Sequence, residues 1–222
     1  MTKQLWKCFW LFVCLLLLAG ILGCGNTASK KTPDNASING DVYSNAFFAF
    51  SWRIPKGWSV ADREQFEATQ QTGRQMLSGG DKKVESVLRA SEKNTYQLLM
   101  TSERPLGAPV EVNPSVIIMA EKVTHMPGIK TGEDYLFHAK KLLSMGQMPV
   151  TIAKDVRACE IGGRPFHRLD VTLSVPTGKL EQAYLAAIID GYALAFIVSD
   201  STVQDLVPNR LKNLQFSKKP TG

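Results

Sequence analysis

The stretch LEQAYLAAIIDGYALAFIV, residues 180–198, limits the fold of this chain more than any other part of it. It places two apolar runs, AYLAAIID and YALAFIV, around the pair Asp190-Gly191. An Asp-Gly pair between two such runs predicts a two-residue hairpin, because a type I′ turn needs positive φ at both central residues. Neither run alternates apolar with polar residues, so both faces of both strands need cover. The pair therefore belongs in the middle of an antiparallel sheet with further layers against it.

The flanking sequence supplies those layers. Residues 151–161 and 165–175 predict two strands about a Gly162-Gly163 turn, and in the second Leu169, Val171, Leu173 and Val175 alternate with Arg168, Asp170, Thr172 and Ser174. Pro176-Thr177-Gly178 turns the chain into the central hairpin. Residues 96–103 and 115–123 read as strands joined by a loop over 105–114. An aromatic-rich run over 43–54 meets Pro55-Lys56-Gly57 before Trp58, which predicts a hairpin across that turn. Asp62 is placed to cap a helix carrying Phe66, Met76 and Leu77, broken at Ser78-Gly79-Gly80-Asp81, with a short helical turn after it around Val84, Val87 and Leu88. Thr131 caps another helix, with Glu133 and Asp134 in its first turn and Lys140 and Lys141 further on. Its apolar face is Tyr135, Ala139, Leu142 and Leu143, and Gly146 ends it. Ser201 opens a last helix with the stripe Val203, Leu206, Val207, Leu211 and Leu214. Together these predict an α+β fold, an α/β/α sandwich around an antiparallel sheet.

The N-terminal segment has a different character. Lys3 and Lys7 precede an uncharged run over residues 8–22, the pattern of a secretory signal. The run is short for a spanning helix, which needs about 20 apolar residues. Ile21-Leu22-Gly23-Cys24 resembles the bacterial lipobox, with Leu22 bulkier than the commonest residue at its place. That resemblance implies a diacylglyceryl thioether on Cys24, cleavage before it and acylation by chains such as palmitate. The alternative is an uncleaved signal anchor with an incidental cysteine. GNTASKKTPDNASINGD is polar and without hydrophobic periodicity, as a tether would be. The expected organisation is a signal over 1–23, a tether over 24–41, one domain over 42–216 and a tail over 217–222.

Charge and cysteine content narrow the function. Of 26 basic and 20 acidic residues, Lys3 and Lys7 leave with the signal, so the mature chain carries +4. The basic residues are scattered apart from pairs such as Lys30-Lys31, Lys82-Lys83 and Lys140-Lys141, whereas a nucleic-acid footprint is a cluster or stripe. No nucleic-acid partner is expected. Cys8 and Cys14 leave with the signal and Cys24 is lipidated, so Cys159 is left without an intramolecular disulfide partner.

Residues that could carry chemistry are few. His125, His138 and His167 have no ligand at metal spacing, and no metal or cofactor is expected. No G-x-S-x-G, P-loop or dinucleotide fingerprint occurs. Cys159 and His167 flank the Gly162-Gly163 turn and could pair across strands as nucleophile and base, with Arg157 available to lower the thiol pKa. No orienting carboxylate accompanies them, and a plain strand cysteine is the simpler reading. Trp52 and Trp58 flank the first turn and are the candidate binding surface, set against a role in core packing and turn bracing.

The opening SNAFFAFSWRIPKGW resembles that of PsbP-like bacterial proteins, and IGGRPFHRLDV with LEQAYLAAIIDGYALAFIV is similar to that family's meander. The resemblance covers nearly all of residues 42–216 and implies the PsbP/Mog-like sandwich. It implies no activity, since members are mostly accessory or binding proteins and a fold alone does not confer chemistry. The expectation is a non-catalytic, lipid-anchored extracytoplasmic protein that binds a protein partner in an envelope complex. The alternatives are a small-ligand or lipid carrier using a crevice between sheet and helices, and a thiol enzyme built on Cys159. Gly25 is not the aspartate of the enteric inner-membrane rule, which favours the outer membrane in a host with two membranes.

Overall fold

The computed structural model describes residues 32–146, 148–175, 178–201 and 206–217. The signal, the lipobox and Cys24, most of the tail, Pro176-Thr177 and Val203 lie outside them.

Strands β9 (Arg164–Val175), β10 (Gly178–Ile189) and β11 (Tyr192–Asp200) form the antiparallel meander at the heart of the domain. The turn between β10 and β11 has the expected geometry: Ile189 faces Tyr192, and φ is 51° at Asp190 and 81° at Gly191. β11 continues to β6 (Ser115–Lys122), β5 (Thr95–Ser102) and the short β4 (Ser59–Val60). On the other side β9 pairs with β7 (Val150–Ile152) and β8 (Arg157–Ile161).

The side chains of the hairpin alternate between two covered faces. Leu185, Leu194, Phe196 and Val198 point to one face and are fully buried. They meet a second, four-stranded sheet of β1 (Ala36–Asn39), β2 (Val42–Asn45), β3 (Phe50–Arg53) and β12 (Leu214–Phe216), which contributes Tyr43, Phe50 and Trp52. Ala186 and Ala193 point to the other face. There the helix α3 (Gly132–Met145) packs Leu136 and Leu143 against Leu169, Val171 and Leu173. Helices α1 (Arg63–Ser78) and α2 (Lys82–Glu92) join the β4 and β5 end, and the short α4 (Leu206–Leu211) leads into β12.

The α+β class with an antiparallel sheet stands, and the helix caps are where their residues place them. Asp62 accepts from the Gln65 amide at 2.8 Å, Asp81 caps α2 and Thr131 caps α3. The turn expected at Val84 is a complete helix of 11 residues. One covering layer is the small sheet with α4.

Four other expectations give way. The Pro55–Gly57 turn exists, with Trp58 N–H donating to the Pro55 carbonyl, but the strands on its two sides join different sheets. The real hairpin joins β2 to β3, where Asn45 Oδ1 accepts from Phe48 N–H at 3.0 Å and Ala49 has φ 54°. Residues 151–161 form two strands: Ile152 faces Val171 while Arg157 faces Arg168, so two extra residues bulge out of the ladder. Lys140 Nζ on α3 donates to the Ala153 carbonyl at 2.9 Å and to that of Lys154 within this bulge. Leu214 belongs to β12, facing Trp52, and not to the last helix. Residues 32–41 of the expected tether are part of the fold: Pro33 O accepts from Asn45 Nδ2 at 2.8 Å and β1 pairs along β2.

Two glycines fix close approaches. A Cβ at Gly132 would lie 2.0 Å from the Ala186 carbonyl oxygen, so the first turn of α3 rests on the backbone of β10. A Cβ at Gly191 would lie 2.6 Å from Thr124 Cγ2. Gly132→Ala is expected to cost about 2 kcal/mol or more by forcing the helix off the sheet. Gly191→Val is expected to cost about as much through strain at positive φ. Thermal melts check both, each kcal/mol lowering Tm by about 2–4 °C in a domain of this size.

Candidate functional site

The two candidate tryptophans are core and bracing residues. Trp52 is fully buried, and its indole N–H donates to the Arg210 carbonyl at 3.2 Å, so it cannot rim a crevice. A buried indole needs such a partner, and α4 supplies it. Trp58 is half-buried with the Arg210 guanidinium 5.2 Å above its ring. The same guanidinium pairs with Asp200 at 2.7 Å and reaches Glu103 at 3.7 Å. This cluster clamps α4 to β11 and to the end of β5.

Cys159 and His167 are not brought together. Cys159 faces Phe166 across the β8–β9 ladder, whereas His167 faces Ala158, one residue along. Directly opposed residues share a face and neighbours alternate. The thiol therefore lies with the core on the small-sheet side, and the imidazole lies under α3. Burial raises the Cys159 pKa, outweighing the lowering by Arg168 and Arg157. Arg157 thus fails to activate it: both Arg157 and Arg168 are paired with Asp170, at 2.8 Å and 2.6 Å. His167 Nδ1 would be 3.2 Å from a Cβ at Gly132, which places the ring beneath the first turn of the helix.

The polar group that sequence reasoning missed is Glu121 with Tyr135. Glu121, near the end of β6, accepts from the Tyr135 hydroxyl of α3 at 2.9 Å. Burial pushes the Glu121 pKa up, opposed by the Tyr135 hydrogen bond and by the fields of His125 and His138. Burial likewise pushes Tyr135 well above its ordinary value, reinforced by the neighbouring Glu121 charge. An alternation in SVIIMAEKV that puts a glutamate on the α3 face is the signal that could have found it. Beside this pair lies an open hollow of about 260 Å³ lined by Gly128, Glu133, Asp134, Phe137 and His138. Ligand pockets usually reach about 300–1,000 Å³. The Asp134 carboxylate there already accepts from the amides of Lys130 and Thr131 and from the Thr131 hydroxyl, and those bonds hold its pKa down. A second hollow, of about 610 Å³, lies at the far end of β10 against Glu111, Val112, Gly178, Lys179 and Ser201. Among the described residues no three His, Cys, Asp or Glu side chains gather as metal ligands.

No family model and no curated protein matches the chain. Solved structures with a similar backbone course include cyanobacterial PsbP (CyanoP) from Synechocystis sp. PCC 6803, at 13% identity and a TM-score of 0.49, covering 82% of this chain and 98% of that one. LpqN of Mycobacterium tuberculosis, involved in cell envelope biogenesis, is 11% identical with a TM-score of 0.37, over 76% of this chain and 83% of its own. A Pseudomonas aeruginosa protein of unknown function, the putative regulator PA94, is 17% identical with a TM-score of 0.33, over 52% and 72%. None of them supplies a functional residue to this chain.

Glu121 gives the site a pH dependence. Its folded pKa is raised, so the folded state binds more protons than the unfolded state just above the ordinary glutamate value. Stability through this group falls as pH rises through the raised pKa. Glu121→Gln keeps an acceptor for Tyr135 and removes the charge. The variant is expected to melt higher than wild type at pH 7.5, with the gap closing at about pH 4, where the glutamate is neutral. Paired melts at the two pH values check this.

Proposed function

We propose that this chain is a lipid-anchored, extracytoplasmic accessory domain of the bacterial cell envelope that acts by binding a protein partner, without catalysis. The observation that carries the reading is the order of parts. Lys3 and Lys7, an uncharged run and Ile21-Leu22-Gly23-Cys24 come directly before a compact unit that starts at Thr32. Two or more acyl chains on Cys24 would hold such a unit durably on a bilayer, at roughly 0.8 kcal/mol per buried methylene. Where the host has two membranes, Gly25 favours the outer one.

The rival readings lose support in the packing. A thiol enzyme needs its base within hydrogen-bond reach of an accessible thiolate. Cys159 has its pKa raised by burial and turns to the face opposite His167. A carrier needs space between sheet and helix. There the α3 backbone touches β10 at Ala186, and Leu136, Leu143, Leu169 and Val171 fill the interface.

Cys24→Ala is expected to leave the precursor uncleaved and without lipid, seen as a mass increase of the chain and loss of acyl label. Normal maturation of that variant by cleavage elsewhere would remove the anchor. Cys159→Ser is expected to fold normally and keep every contact found by cross-linking in native membranes. A folded C159S protein without its cellular activity would instead put thiol chemistry first.

A further inference from the structure

Both chain termini leave the domain at one turn. On the N-terminal side Pro33 is buried with its carbonyl on Asn45, and the Ala46 amide donates to the Asn35 carbonyl at 3.1 Å. On the C-terminal side the Ser217 amide and hydroxyl both reach the Ala49 carbonyl, at 2.8 Å and 3.1 Å. The loop between β2 and β3 is therefore the point from which the anchor chain departs. That loop also touches the tip of the central hairpin, because the Phe47 ring stands edge-on to Tyr192 at 5.3 Å. Tyr192 in turn meets Tyr96 at 5.9 Å and faces Lys122 across the β6–β11 ladder. The Lys122 amide donates to the Asn94 carbonyl, next to Lys93.

From these contacts we infer that this end of the domain, formed by Phe47, Tyr96 and Tyr192 with Lys93 and Lys122, lies against the anionic headgroups of the bilayer that holds Cys24. The inference rests on the lipid-anchor reading. The chain from Cys24 to Pro33 is only nine residue steps, about 30 Å at full extension. A tether this short keeps the end of the domain it leaves from near the membrane. The chemistry of the end suits the place. Phe47, Tyr96 and Tyr192 are partly exposed, and tyrosine favours the headgroup level. Lys93 and Lys122 are exposed, with Asp34 and Asp190 as exposed acids, while Glu92 and Glu121 are already engaged by Arg74 and Tyr135. Clustered lysines next to an anionic leaflet add to its attraction for the protein.

The test uses the full lipidated protein in a Cys159→Ser background, reconstituted in vesicles of phosphatidylglycerol with phosphatidylcholine, or of phosphatidylcholine alone. A spin label is placed at His125→Cys, on the loop after β6, or at Lys179→Cys, about 36 Å away along β10. Collision with a headgroup-bound nickel chelate is then measured. The expected result in anionic vesicles is an accessibility at residue 125 on the order of threefold above that at 179, reduced toward unity in phosphatidylcholine and by K93E/K122E. Equal collision rates at the two positions, in protein that floats with the vesicles, would overturn the orientation while leaving the anchor intact. A ratio indifferent to lipid charge and to K93E/K122E would overturn the assignment to anionic headgroups. Mature protein that fails to float would remove the anchor and this inference with it.

Discussion

Everything in this domain is arranged around a hairpin that cannot face water on either side. β10 and β11 bury Leu185, Leu194 and Phe196 on one face and Ala186 and Ala193 on the other. On the helix side, Ala186 and Ala193 stand beside the larger Tyr184 and Ile188. On the alanine face a helix can come down until backbone meets backbone, and Gly132 completes the approach by having no Cβ. On the leucine and phenylalanine face the cover is made of rings from the small sheet, with Phe50 5.7 Å from Phe196. Apolar burial of this extent is the main favourable term in folding, and it is reached only when both covers are in place.

The polar side chains mostly serve that closure. Arg210 accepts from Trp52 through its carbonyl, pairs with Asp200 and lies over Trp58, so one residue of a six-residue helix joins both sheets. Arg74 of α1 is largely buried and pairs with Glu92 and Glu85 of α2, binding the two helices into one unit. Asp134 is occupied by the amides at its own helix start. A charged group held by fixed partners in this way contributes geometry rather than reactivity.

Much of this architecture was legible wherever a local physical rule sufficed. The Asp190-Gly191 turn, the caps Asp62 and Thr131 and the alternation of β9 follow from residues within a few positions of one another. The environment of Cys159 was not legible: its pairing with Phe166 rather than His167 depends on the register of β8 on β9, which no single-strand pattern fixes. Nor was the small sheet. Its hairpin loop, Ala46-Phe47-Phe48-Ala49, is apolar because Phe48 is fully buried, and so it reads as strand. β12 reads as helix because Leu214 continues a helical stripe that starts at Val203 in the sequence. The alternation of β6 sets Glu121 apart from Val116, Ile118 and Ala120, but that α3 brings Tyr135 to its face is settled by packing.

These two kinds of element differ in what they cost to form. The meander β9–β10–β11 closes through successive short turns, so its entropy of closure is small and its pairing is local. The small sheet closes only when β12 reaches β3, and the hydrogen bond from Trp52 to Arg210 spans 158 residues. Its first strand, β1, is exposed along its whole length and held by four residues of β2. The layer that depends most on the rest of the fold is thus also the layer from which both termini depart. Trp52 at its centre reconciles the two demands. Burying its ring ties the small sheet to the finished core, and its N–H fastens that sheet to α4, which leads directly into β12. The strand that continues the tether, β1, is thus held by a local hairpin to β2, while the sheet it joins is fastened to the core by a bond between residues 158 positions apart.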